Sequence, residues 1–221
     1  MHAAARGAGR DPSDIALMAV CKTLPAPSIL EAYAAGQRLF GENRVQEFAD
    51  KFSHLAALKD AEFHMIGHLQ SNKAAKAAEI FHAVDSIDSA KLAQRLNEAA
   101  EKLGKTLDTL IEINVGGEEA KSGLPPSSPE IDAILHQAPE WTNLRIRGLM
   151  TVPPFTDDPE GARPYFRKLR ELHQQLAARS LPSVNLDVLS MGMSHDFEVA
   201  IEEGSTCVRI GTAVFGERLK P

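Results

Sequence analysis

Cysteine is nearly absent from this chain, Lys and Arg never cluster, and no apolar run reaches the ~18 residues that a membrane helix needs. Each shortage excludes a class of function. Without clustered Lys and Arg, and with a net charge of -6 over 221 residues, there is no electrostatic footprint for nucleic acid or for an anionic membrane surface. The opening MHAAARGAGRDPSD is polar and lacks the apolar centre of a signal peptide, so a cytoplasmic protein is expected. The two cysteines, Cys21 and Cys207, fall in no metal-ligand spacing, and a reducing compartment disfavours a bond between them; small buried side chains are expected. His64, His68 and His82 lack carboxylate or cysteine partners at ligand spacing, which argues against a metal site. A G-x-G-x-x-G turn is also missing: the place after the first strand is held by CKTLPAP, against an open dinucleotide-binding sheet.

What is present is an alternation. Hydrophobic residues make up 43% of the chain, enough for one sizeable core, and no break in composition divides residues 1–221, so one domain is expected. Apolar runs at Ile15–Lys22, Arg38–Phe40, Phe63–Gly67, Phe81–Val84, Leu107–Val115, Leu144–Val152, Val184–Leu189 and Cys207–Ile210 read as strands. Between them residues recur at helical spacing: Ile29, Leu30, Tyr33 and Ala34 after the first run, Val45, Phe48, Phe52 and Leu55 after the second. Parallel strands need helical crossovers, and eight of them close without leaving an edge. The expected fold is therefore α/β, a closed (β/α)8 barrel of TIM type. In the helix Tyr165–Ala178 and just before it, Arg163, Arg167 and Arg170 fall on one side, and a solvated face accounts for them.

Function in such a barrel sits where strands end and the following loops begin. Those junctions are polar here: Lys22; Glu42 and Asn43; His68; Asp85 and Ser86; Asn114; Thr151; Ser190 to Ser194; Arg209 to Thr212. A lysine at the end of a buried strand loses its proton more easily than one in water, and a neutral amine attacks aldehydes. Phosphate in these barrels commonly lies on the loops after strands seven and eight, where glycine admits the backbone. Gly192 with Ser190 and Ser194, and Gly211 with Thr212, meet that condition. Ser194-His195-Asp196 holds the residue types of a hydrolase triad, but adjacent residues cannot direct their side chains through such a relay. Alternation along strands places Cys207 on the face of Arg209; if Lys22 and Arg209 both face the mouth, Cys21 faces outward.

The segments AVCKTLP, FGENRVQEF, HMIGHLQSNK, INVGGEEAKSG, RGLM and LSMGMSHDFEVAIEEGSTCVRIGTAVFG, in this order, closely resemble the pyridoxal-phosphate homeostasis proteins over nearly the whole chain. Departures are small: Cys21 stands where serine is frequent, and the segment before the first strand is short. The resemblance implies a barrel like the N-terminal domain of alanine racemase, with pyridoxal 5'-phosphate (PLP) held as a Schiff base on Lys22. It also implies a protein with no assigned reaction that buffers the cofactor and delivers it to PLP-dependent apo-enzymes; a monomer is expected. The binding set it implies is Lys22, Asn43, His68, Ser190, Met191, Ser194, Arg209, Gly211 and Thr212. In that set the serines, Gly211 and Thr212 hold the phosphate, Arg209 faces the pyridine nitrogen, Asn43 positions the ring and His68 covers it. An arginine keeps its own proton, which leaves the ring a poorer electron sink than an aspartate partner would.

Two other readings use the same lysine. A PLP-dependent racemase or decarboxylase needs a second proton carrier. The only tyrosines, Tyr33 and Tyr165, lie on expected helices away from the mouth. A class I aldolase would use Lys22 on a sugar-phosphate carbonyl without any cofactor.

Overall fold

A computed structural model of the chain describes residues 1–118 and 121–216; residues 119–120, in the loop 116–129, and the terminal 217–221 lie outside the described residues. Eight strands run through the described residues: β1 (Ala16–Val20), β2 (Leu39–Glu42), β3 (Glu62–Met65), β4 (Ala83–Ile87), β5 (Leu107–Glu112), β6 (Leu144–Met150), β7 (Val184–Met193) and β8 (Cys207–Ile210). Helix α1 (His2–Gly7) precedes β1. After successive strands come α2 (Ala26–Ala34), α3 (Val45–Leu55), α4 (Ala74–Ile80), α5 (Ala90–Lys102), α6 (Pro129–Gln137), α7 (Arg163–Ala177), α8 (Phe197–Glu202) and α9 (Thr212–Phe215). The strands pair in chain order and β1 closes on β8, all parallel, giving the eight-stranded barrel expected from the alternation.

Local chemistry sets the element ends. Ser89 caps α5 by accepting the Leu92 N–H at 3.2 Å, and Ser128 caps α6, where Pro129 takes the first helical position. Gly36, at φ +104°, lets the chain leave α2, a conformation that side chains resist. The period of two along β1 sends Ala19 and Cys21 into the layer between barrel and helices, while Ala16 and Met18 line the barrel interior. Between barrel and helices, Phe48 of α3 packs its ring 4.8 Å from both Phe63 and Phe81, and Phe40 stacks on Phe63 at 5.3 Å. This aromatic cluster seats α3 against β2 and β3.

The lower barrel interior is mostly apolar but holds a charged pair. His64 of β3 meets Asp85 of β4 at 3.1 Å across neighbouring strands, beside a cavity of about 220 Å³ that Met18 and Cys207 also line. Burial opposes the imidazolium, but Asp85 and Glu62 outweigh it and lift the His64 pKa to about 9. Cys207 thus faces inward and Cys21 outward, and both are free thiols.

The structure corrects several readings. Strand β1 stops at Val20, so Lys22 stands two residues beyond it, in a turn. Strand β4 continues to Ile87, which places Asp85 inside the barrel rather than at its mouth. Strand β7 runs on through Met193 instead of ending at Leu189, because a register shift against β8 lets Ser190 to Met193 stay paired. Arg163, Arg167 and Arg170 are more than a solvated face: all three converge on the carboxylate of Glu203, which is 5% exposed, at 2.9–3.1 Å. Burial opposes the Glu203 charge, yet the three guanidinium groups hold its pKa below the usual carboxylate range.

Candidate cofactor site

A cavity of about 310 Å³ opens at the C-terminal end of the barrel, within the ~300–1,000 Å³ common for small-molecule sites. Val20 and Lys22 come from the end of β1 and its turn, Asn43 from the end of β2, and Ile66 from the end of β3. Val152 follows β6; Met193, Ser194 and His195 follow the course of β7; Arg209, Gly211 and Thr212 come from β8 and its exit. Among the described residues no carboxylate lines the cavity.

Glycine makes room for this arrangement at two points. A Cβ on Gly67 would stand 2.3 Å from the carbonyl oxygen of Asn43, so only glycine lets the β3 exit pass beside the β2 exit. Gly192 has φ +94°, and a Cβ there would meet Ala200 of α8 at 2.5 Å. The loops after β7 and β8 are tied to each other, since the Gly211 N–H donates to the Ser194 hydroxyl at 3.3 Å.

Arg209 projects from β8 into this end of the barrel and is 4% exposed. Its guanidinium donates to the Ser190 hydroxyl at 2.7 Å and to the Thr151 carbonyl at 2.6 Å. Both are neutral acceptors. Burial pulls its pKa down, and the carboxylates of Asp85, Glu112 and Asp196 oppose that at longer range. Glu112 is itself buried, which pushes its carboxyl up; Ser122 donates to one oxygen at 2.8 Å.

Six of the nine residues expected to form the site line the cavity: Lys22, Asn43, Ser194, Arg209, Gly211 and Thr212. Three do not. Ser190 stands one layer below, holding Arg209. Met191 points the other way along β7, into the hydrophobic core. His68 is exposed and its Nδ1 lies 3.2 Å from Asp88, away from the lining. Glu42, a strand-end polar residue, turns outward instead of into the mouth and pairs with Lys51 of α3 at 2.6 Å. Asn114 folds its own loop, accepting the Gly117 N–H at 3.0 Å and donating to the Glu118 carbonyl at 2.8 Å.

Sequence reasoning missed Val20, Ile66 and Val152, apolar walls whose type gives no signal. It also set His195 aside with the false triad. The structure breaks that triad, since Asp196 accepts the Met193 N–H at 2.7 Å while His195 Nε2 lies 3.1 Å from the Thr156 carbonyl. His195 nonetheless lines the cavity, its ring 5.4 Å from that of the exposed Phe155. Among the described residues no group of three or more His, Cys, Asp or Glu could hold a metal ion, and no helix is long and apolar enough to cross a membrane.

Barrel and site together define the class. Residues 6–219 match the sequence profile of the alanine racemase N-terminal domain. A pyridoxal phosphate homeostasis protein of Aquifex aeolicus is 47% identical over 96% of this chain and 90% of its own, and one of Pseudomonas aeruginosa is 46% identical over 97% and 90%. The chain belongs to the pyridoxal phosphate homeostasis protein family. Among solved structures it is similar to PipY of Synechococcus elongatus PCC7942 with PLP bound: TM-score 0.83, 39% identity, 96% of this chain and 97% of that one.

Proposed function

We propose that this protein binds PLP in the mouth cavity, holds it covalently through Lys22, and stores and delivers it to PLP-dependent apo-enzymes as a cytoplasmic monomer. The observation that carries the reading is the convergence of Lys22, Ser194, Gly211, Thr212 and the buried Arg209 on one cavity of about 310 Å³, with no carboxylate lining it among the described residues. These donors fit the cofactor: an amine for its aldehyde, hydroxyls for its phosphate, and a cation for its ring nitrogen. Bound there, PLP supplies an aldehyde carbon that an amine can hold reversibly.

Lys22 provides that amine from the turn after β1. Ser194 and Thr212 would donate hydroxyls to the phosphate from two loops already joined by the Gly211 to Ser194 hydrogen bond. Arg209 would keep its proton and offer a donor to the ring nitrogen, its guanidinium held in place by the two N–H groups that Ser190 and Thr151 accept. Neither tyrosine lines the cavity: Tyr33 bonds Asp60 and Tyr165 packs on the core. A second reading, amino-acid chemistry with the same cofactor, draws on His195 as the missing proton carrier, since it alone adds an imidazole to the lining.

Borohydride reduction of the cofactor-loaded protein, followed by peptide mapping, should place the label on Lys22; label on another lysine would refute the covalent assignment. The loaded protein should also reactivate a PLP-dependent apo-enzyme and should not exchange the α-proton of alanine in deuterated water. Sustained exchange that is lost in both Lys22→Ala and His195→Gln would establish the second reading instead.

A further inference from the structure

Lys22 sits in a short turn, and the backbone of that turn is strained. Thr23, the next residue, has φ +64°, a left-handed conformation that a β-branched residue adopts only when its surroundings impose it. The turn is held from behind the barrel wall. Lys51 of α3, 9% exposed, donates to the carbonyls on either side of Lys22: Cys21 O at 3.2 Å and Leu24 O at 2.9 Å. Its ammonium also meets Glu42 Oε1 at 2.6 Å, so three acceptors occupy its three N–H bonds. The same Glu42 oxygen accepts the Cys21 thiol at 3.1 Å. Glu42 is fully buried at the end of β2, and the next residue is Asn43, a cavity wall.

None of Cys21, Glu42 or Lys51 lines the cavity. The buried pair is also a weak source of stability, because desolvating two charges offsets much of their attraction. What the network does fix is geometry, since one ammonium joins both ends of the Lys22 turn to the strand end that carries Asn43. We infer that Lys51 is a positioning residue, whose ammonium clamps the Cys21–Leu24 turn and thereby sets where the Lys22 amine stands in the cavity. The inference rests on the proposed role of Lys22. With the clamp removed, the turn relaxes at Thr23 and the amine occupies its bonding position for a smaller fraction of the time; apparent affinity falls by that fraction.

The test compares two ligands that share ring and phosphate. PLP can be linked to Lys22; pyridoxamine 5'-phosphate, which has no aldehyde, cannot. In Lys51→Met the dissociation constant for PLP should rise about tenfold or more, while that for pyridoxamine 5'-phosphate stays within about twofold. The visible band of the linked cofactor should also fade over a different pH range from that of the wild type. Because Lys51→Met strands the Glu42 carboxylate, the double variant Glu42→Gln with Lys51→Met, free of any buried charge at this point, is measured alongside it and should show the same split. Equal losses for both ligands in the double variant, or no loss for either, would overturn the inference while leaving Lys22 as the attachment point. A wild type with no reducible link on Lys22 would overturn the proposed function, and the clamp with it.

Discussion

Neutralising the pair His64 and Asp85 inside the barrel should change how stability depends on pH. The two side chains meet at 3.1 Å on adjacent strands, Asp85 being 2% exposed, and the His64 pKa rises from 6.5 to about 9. The folded protein therefore keeps a proton that the unfolded chain has already lost in this window. The stabilisation is fully present below pH 6.5 and disappears as the pH climbs through about 9. At about 1.4 kcal/mol per pH unit, the full difference is about 3.5 kcal/mol. For a chain of this size that corresponds to roughly 7–14 °C in Tm. The variant that isolates it is the double substitution His64→Gln with Asp85→Asn, which keeps a hydrogen-bonded pair but removes both charges. Thermal melts from pH 6 to 10 should show the wild type losing this share of stability above pH 6.5, while the double variant declines less over the same range. If the two profiles run parallel, or if the His64 ring titrates near 6.5 by NMR, the argument fails.

Replacing Ser194 and Thr212 together by Ala should weaken PLP binding, each hydroxyl contributing roughly 1.5–3 kcal/mol to a charged acceptor, and an unchanged dissociation constant would mean that the phosphate lies elsewhere. Gly67→Ala should cost about 1–3 kcal/mol in denaturant unfolding, because its Cβ would stand 2.3 Å from the Asn43 carbonyl, and should weaken PLP binding as that cavity wall shifts. Burial pushes both thiols up, Cys207 to about 12 and Cys21 well above its ordinary value. Neither should react with iodoacetamide at pH 8 until the protein unfolds, and rapid alkylation of the native protein would contradict their placement.

The sequence determined the barrel, because the signals for it are local. The periods of two and 3.6, the glycines after α2 and α5 and the serine caps act within a few residues of themselves. Strand ends named most of the cavity wall for the same reason: in a closed parallel barrel every strand exit faces one mouth, so Lys22, Asn43, Ser194, Arg209, Gly211 and Thr212 had to meet there. Tertiary structure decided which way a polar residue turns once it arrives. Glu42 and Asn43 are adjacent in the chain, yet one pairs with Lys51 behind the sheet and the other lines the cavity. A register shift held Ser190 and Met191 inside β7, where one supports Arg209 and the other fills the core. The three arginines of α7 read as solvent-facing because their shared partner, Glu203, lies beyond the end of α8, 33 to 40 residues on by sequence and in contact only after folding. Side-chain pattern reports the face of an element; what that face meets depends on the packing of elements distant in the chain.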